Sequence, residues 1–257
     1  MARRLGQHFL VRESILARIA AAACPQPCEL AIEIGPGKGA LTRHLLKRAA
    51  RVVAIEVDPH LIHYLKQKFR DENRLHIVDG DVLKTDLGQW GPAVIAGNLP
   101  YYITSPILER VFALGPAWQR AVFLVQKEVA ARLISPPGLR TYGYLTVQTN
   151  LFAYPELLFP VSPLAFQPPP KVESAVVRLT PRDPATEFGV ARASCFLKFV
   201  SYCFQQKRKM LRNNLAPVYG KEQVDSLPEA KQRAEQLSIP QLAAIYRWLS
   251  QASDLAR

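Results

Sequence analysis

From residue 29 to about residue 180, short apolar runs alternate with stretches whose apolar residues recur every three or four positions. The runs 30–34, 51–57, 75–78, 93–96 and 121–125 are rich in Val, Ile, Leu and Ala, which suits strands covered on both faces. Between them, 40–49, 60–69 and 106–114 carry helical spacing, and 13–23 is an amphipathic helix ahead of the first strand. Strands separated by helical crossovers predict an α/β fold with a doubly wound, Rossmann-like parallel sheet. Two further runs, 151–160 and 175–179, flank the proline-rich segment 166–170 and have no helix between them. Such strands pair antiparallel, so the sheet is expected to close with a reversed strand.

Beyond Thr180 the pattern changes. Pro181-Arg182-Asp183-Pro184 is a breaker cluster, and no strand pattern follows it. Helical spacing returns at 191–206, 209–215 and 240–251, which predicts a domain over 1–184 and a small all-helical domain over 185–257.

Charge narrows the choice of partner. Lys and Arg number 33 against 21 Asp and Glu, a formal net charge of +12, which favours polyanions. A spanning helix needs ~20 consecutive apolar residues, and no stretch approaches that length. The start of the chain, Met1 to Leu10, has neither the apolar core of a secretory signal nor the look of a transit peptide, so a cytoplasmic protein is expected. Cys24, Cys28, Cys195 and Cys203 lack metal-site spacing, and neither a metal site nor a disulfide framework is expected.

The first candidate site is Glu33-Ile34-Gly35-Pro36-Gly37-Lys38-Gly39, between the first strand and a helix. Glycine at 35, 37 and 39 lets backbone amides approach a ligand closely. Gly35, Gly37 and Ala40 also fit the dinucleotide pattern, with Glu56 at the second strand's end suited to a ribose under either reading. Two features favour S-adenosylmethionine. Glu33 puts negative charge where a sulfonium gains and a pyrophosphate loses. Asp81, after Gly80 at the third strand's end, can accept a bond from an adenine amine. Asp58 reads instead as the cap of the helix beginning at Pro59.

The second site is Asn98-Leu99-Pro100-Tyr101, at the end of the fourth strand. An adenine amine is a weak nucleophile because its lone pair is delocalised into the ring. If the Asn98 side-chain oxygen and the Leu99 carbonyl accept its two N–H groups, the lone pair is held towards a methyl donor. Pro100 fixes the turn that aims the carbonyl. The ring of Tyr101 would stack on the base, a contact worth ~1–3 kcal/mol.

With these motifs, the chain resembles the ribosomal RNA adenine N6,N6-dimethyltransferases, in particular those acting on two adjacent adenosines in a hairpin loop near the 3′ end of small-subunit RNA. The matching stretches are Gly6-Gln7-His8-Phe9-Leu10, 33–39, Glu56-Val57-Asp58, Gly80-Asp81, 98–106, 166–174 and 204–215. The resemblance implies a class I methyltransferase using S-adenosylmethionine, with cofactor contacts at His8, Leu10, Gly35, Glu56, Asp81 and Asn98. It also implies that Phe166 stacks on the target base opposite Tyr101, and that the partner is ribosomal RNA in an assembling small subunit, met by a monomer. His8 departs from the asparagine many relatives carry. Erythromycin-resistance methyltransferases share the chemistry, but Leu99 with Thr104-Ser105-Pro106 looks more like the small-subunit enzymes.

RNA contact is expected at Lys207, Arg208, Lys209 and Arg212, with Arg3, Arg4 and Arg12 adding charge at the other end. Three rivals stand beside this reading: a DNA adenine methyltransferase, a nicotinamide-dependent oxidoreductase, and a non-catalytic RNA-binding assembly factor.

Overall fold

The computed structural model describes residues 8–100 and 102–255, with side chains through residue 250. Arg3, Arg4 and Tyr101 therefore lie outside the described residues, as do Gly6 and Gln7.

In chain order the elements begin with β1 (Phe9–Leu10), α1 (Glu13–Ala23), β2 (Cys28–Ile34), α2 (Thr42–Leu45) and β3 (Ala49–Glu56). Next come α3 (Pro59–Lys68), β4 (Leu75–Asp79), β5 (Ala93–Asn98), α4 (Thr104–Phe112) and β6 (Trp118–Gln126). Then follow α5 (Lys127–Leu133), α6 (Tyr144–Phe152), β7 (Ala153–Val161), β8 (Phe166–Gln167) and β9 (Ser174–Pro181). The remaining helices are α7 (Pro184–Phe188), α8 (Ala193–Cys203), α9 (Leu211–Tyr219), α10 (Lys221–Asp225) and α11 (Ile239–Leu255). None among the described residues is long and apolar enough to cross a membrane.

Contacts divide the chain into two compact units, Met1–Ala130 with Tyr154–Pro181, and Ala131–Ala153 with Arg182–Arg257. The boundary read from sequence at 184/185 thus misses that 131–153 joins the helical unit. The cause lies in α6, where Thr146, Gln148 and Thr149 are buried together with Val147 and Leu151. A helix buried on several sides by polar residues presents no apolar stripe to read.

In the first unit, seven strands form one sheet in the order β4-β3-β2-β5-β6-β9-β7. Pairs β4/β3, β3/β2, β2/β5 and β5/β6 are parallel, while β9 runs antiparallel to β6. The reversed strand is therefore present, and it sits inside β7 rather than at the edge. Helix α1 buries Leu16, Ile19, Ala20 and Ala23 in a cluster with Ala31, Val94 and Val122 of three strands. Burying Leu16 and Ile19 contributes roughly 1.5–3 kcal/mol each. The expected helix over 40–49 shrinks to four residues because Ala49 is already paired with Cys28 in the β2/β3 ladder.

The chain runs outward from β2 through β3 to β4, then returns to lay β5 on the other side of β2. Strands β2 and β5 pass so closely that a Cβ on Gly97 would lie 2.5 Å from the Ile34 carbonyl oxygen. Backbone on the neighbouring strand cannot move aside as a side chain would. Gly97→Ala should therefore destabilise the protein by about 2 kcal/mol or more, the scale of an overpacked core. Thermal unfolding followed by circular dichroism should show a Tm lower by about 4–8 °C. An unchanged Tm would refute this close approach.

Candidate functional site

The return of β5 beside β2 leaves a crevice beyond their carboxyl ends, where doubly wound sheets receive ligands. A cavity of about 390 Å3 opens there, within the usual size of a small-molecule site. Its lining includes His8, Leu10, Gly35, Gly37, Glu56, Asp81, Asn98, Leu99 and Pro100. Residues spread over ninety positions of sequence are thereby brought to one place.

Gly35 and Gly37 have φ of +67° and +57°, in the left-handed region that penalises any side chain. A Cβ on Gly37 would also come within 3.0 Å of the Phe9 ring. Gly39 differs from its expected place. It is absent from the lining, and a Cβ there would meet the Phe69 ring at 2.5 Å and Leu65 at 2.9 Å. Glycine at 39 serves the packing of α3.

Three carboxyl groups line the cavity. Glu33 is 1% exposed and accepts a 2.5 Å bond from the Thr42 hydroxyl. Burial pushes its pKa up to about 8; the Thr42 bond opposes the rise and the nearby Glu56 charge adds to it. Glu56 accepts bonds from the amides of Gly37 at 3.1 Å, Val57 at 3.0 Å and Asp58 at 3.1 Å, so its carboxylate is held facing the glycine turn. One oxygen of Asp81 accepts from the Leu83 amide at 2.9 Å, which fixes the side chain at the cavity rim. Asp58 caps α3 through the His60 amide, as its position implied.

Across the crevice, the Asn98 Nδ2 donates to the His8 carbonyl at 3.0 Å. A carbonyl only accepts, so the amide is oriented and its Oδ1 is left as the acceptor end. Pro100 spends its own carbonyl on the Ile103 amide and the Thr104 hydroxyl, which pins the turn after Leu99. The strap bearing His8 is β1, paired antiparallel to β8 through Phe9 with Gln167 and Leu10 with Phe166. The His8 ring bonds the Pro168 carbonyl through Nδ1 at 2.8 Å, so the histidine ties down the strap.

Phe166 is 3% exposed, sits in the apolar cluster with Leu10 and Ala165, and does not line the cavity. Its expected stacking face is thus covered by packing. Missed from sequence were Phe9, Val11, Leu16, Ile19 and Lys38, which also line the cavity. Leu16 and Ile19 sit on the apolar face of α1, a signal that core packing explains equally well.

In the helical unit, Lys207, Arg208 and Lys209 occupy an exposed turn between α8 and α9. Arg212 is half-buried, and its amide donates to the Ala230 carbonyl at 3.0 Å. Asn214 fastens the turn by donating to the Cys203 carbonyl at 2.7 Å and accepting from the Gln206 amide at 3.2 Å. No group of acidic, His and Cys side chains suited to a metal occurs among the described residues.

The family model described as ribosomal RNA adenine dimethylase matches residues 1–251. A ribosomal RNA small subunit methyltransferase A from Synechococcus elongatus is 40% identical, covering 98% of this chain and 94% of the relative. The protein of that name from Acidobacterium capsulatum is 41% identical, over 97% and 92%. Among solved structures, a dimethyladenosine transferase from Plasmodium falciparum shares the fold with a TM-score of 0.79, 24% identity and coverage of 96% and 98%. The 23S rRNA methyltransferase ErmE gives a TM-score of 0.74 at 27% identity, over 95% and 100%. With its sheet order, its switch-point cavity and a match over nearly its whole length, the chain belongs to the ribosomal RNA adenine dimethylase family.

Proposed function

We propose that this chain transfers methyl groups from S-adenosylmethionine to the N6 amine of adenine in small-subunit ribosomal RNA. Its targets are two adjacent adenosines in a loop near the 3′ end, each dimethylated in the cytoplasm as the subunit assembles. The observation that carries this reading is the oriented Asn98 amide, whose Nδ2 donates to the His8 carbonyl while the residue itself lines an acid-walled cavity. Family membership and the relatives named for small-subunit RNA support the choice of substrate.

The cavity fits such a cofactor chemically. Gly35 and Gly37 give close backbone approach, Glu56 supplies acceptors for ribose hydroxyls, and Asp81 supplies one for the adenine amine. Glu33, buried against the Thr42 hydroxyl, gains from a cationic ligand, which favours its ionised form, and gains nothing from a pyrophosphate, which disfavours a nicotinamide dinucleotide. When bound, S-adenosylmethionine supplies an electrophilic methyl on a positively charged sulfur.

The protein's own share of the work is orientation. Asn98 Oδ1 and the Leu99 carbonyl accept the two N–H groups of the target amine, which turns the nitrogen lone pair into the cavity. His8 holds the Asn98 rotamer and Pro100 holds the carbonyl, so neither acceptor has to reorganise during transfer. The target base must leave its stack to reach this slot, in keeping with an unpaired loop as substrate.

The direct test is incubation with labelled methyl donor and undermethylated small subunits, followed by nucleoside analysis. The expected product is N6,N6-dimethyladenosine at two adjacent positions, and label on any other base would refute the reading. Asn98→Ala should lower kcat by ~10²–10³, the usual cost of one preorganised polar partner. Near-normal turnover would contradict the amine geometry.

Glu33 adds a pH test with a definite sign. Its folded-state pKa of about 8 lies above the ordinary 4.5, so its contribution to stability is complete below ~4.5 and is lost as pH rises through 8. Glu33→Gln cannot ionise and should gain Tm relative to the parent as pH rises from ~5 to ~9. A cation favours ionised Glu33, so cofactor binding at pH 7 should release up to one proton from the parent and less from the variant, with weaker binding in the variant. Calorimetry in two buffers of different ionisation enthalpy measures this, and equal proton release from both proteins would remove Glu33 from the cation site.

A further inference from the structure

Within the helical unit, the segment between α5 and α6 makes a tightly held loop beside the basic turn. Ser135 and Thr141 close it hydroxyl to hydroxyl at 2.7 Å, and the Tyr142 amide donates to the Leu139 carbonyl at 3.0 Å. The Gly138 amide donates to the Glu235 carbonyl at 2.7 Å, and the Tyr142 and Phe204 rings meet with centroids 6.1 Å apart.

Lys207, the first cation of the turn, is drawn into this assembly. Its Nζ donates to the Arg140 carbonyl and lies 4.0 Å from the Glu235 carboxylate. A lysine neutralised by a carboxylate adds little to counterion release. Arg140 itself is exposed, and its guanidinium has no partner among the described residues. Pro136 and Pro137 stiffen the same loop.

We propose that the loop 135–141 is part of the RNA-binding surface, with Arg140 contacting a backbone phosphate beside Arg208 and Lys209, while Lys207 acts as a positioning residue that holds the loop. This rests on the reading that the 205–210 turn binds RNA. A guanidinium presents a planar fork of donors matched to phosphate oxygens, and a stiff loop loses little freedom when it engages. The chemistry called for is an RNA backbone, since nothing in the loop selects a base edge.

The test uses a fluorescein-labelled RNA hairpin with two adjacent loop adenines, and measures Kd across a range of salt concentrations. Arg140→Ala should raise Kd by about fivefold near 0.1 M salt and flatten the slope of log affinity against log salt by ~0.7–0.9, the signature of one lost phosphate contact. Its Tm should equal the parent's, and Arg140→Lys should restore most of the slope. Lys207→Met should speed amide hydrogen exchange across 138–142 in the free protein, whereas Arg140→Ala should leave that exchange unchanged. If Arg208→Ala with Lys209→Ala weakens binding while Arg140→Ala alters neither Kd nor slope, the loop is excluded and the turn stands. If neither set alters binding, the turn and the loop both fall. Unchanged exchange in Lys207→Met would overturn its positioning role.

Discussion

The architecture turns on the backbone-to-backbone approach of β2 and β5. A residue with no side chain at position 97 lets the returning strand lie flush against Ile34. This puts the turns that follow the two strands side by side, so that the Asn98 carbonyl oxygen is 3.9 Å from where a Cβ on Gly35 would stand. The glycine turn and the segment Asn98-Leu99-Pro100 therefore form one crevice although sixty-odd residues separate them. Parallel pairing fixes this, because all four strands from β4 to β5 end at the same edge and carry Glu56, Asp81 and Asn98 with them.

Electrostatics inside the crevice divides labour between its acids. Glu56 is surrounded by three backbone amides and keeps its charge compensated locally. Glu33 is buried with the Thr42 hydroxyl as its hydrogen-bond partner among the described residues and so holds its proton to about pH 8. Buried carboxyls with few partners are costly as anions, and a cationic ligand relieves that cost. Of the two, Glu33 is the one whose ionisation the protein leaves least compensated.

One part of the crevice lining comes from the β1 strap. It is only two residues long, yet it is secured by pairing to β8, by the His8 ring on Pro168 and by the Asn98 amide. The last of these bonds fixes the strap and also orients the Asn98 amide. The covered ring of Phe166 belongs to the same ribbon, where it supports Leu10 from within the apolar cluster.

What the sequence determined alone was whatever local rules encode: the buried parallel strands, the amphipathic α1, the glycine turn, the acids at strand ends and the Asn98 tetrapeptide. These were legible because two-sided burial leaves continuous apolar runs, and because positive φ admits little besides glycine. Tertiary structure decided the rest. Gly39 proved to be a packing residue because Phe69 and Leu65 arrive from a helix some thirty positions away. Phe166 turned inward because β1 pairs with the strand that carries it. Residues 131–153 joined the helical unit through a polar buried helix with no periodic stripe, and Lys207 found its partners 67 positions back and 28 ahead. Each is a contact between distant segments, and a chain read in one dimension records what a residue is able to do but not which neighbour it meets.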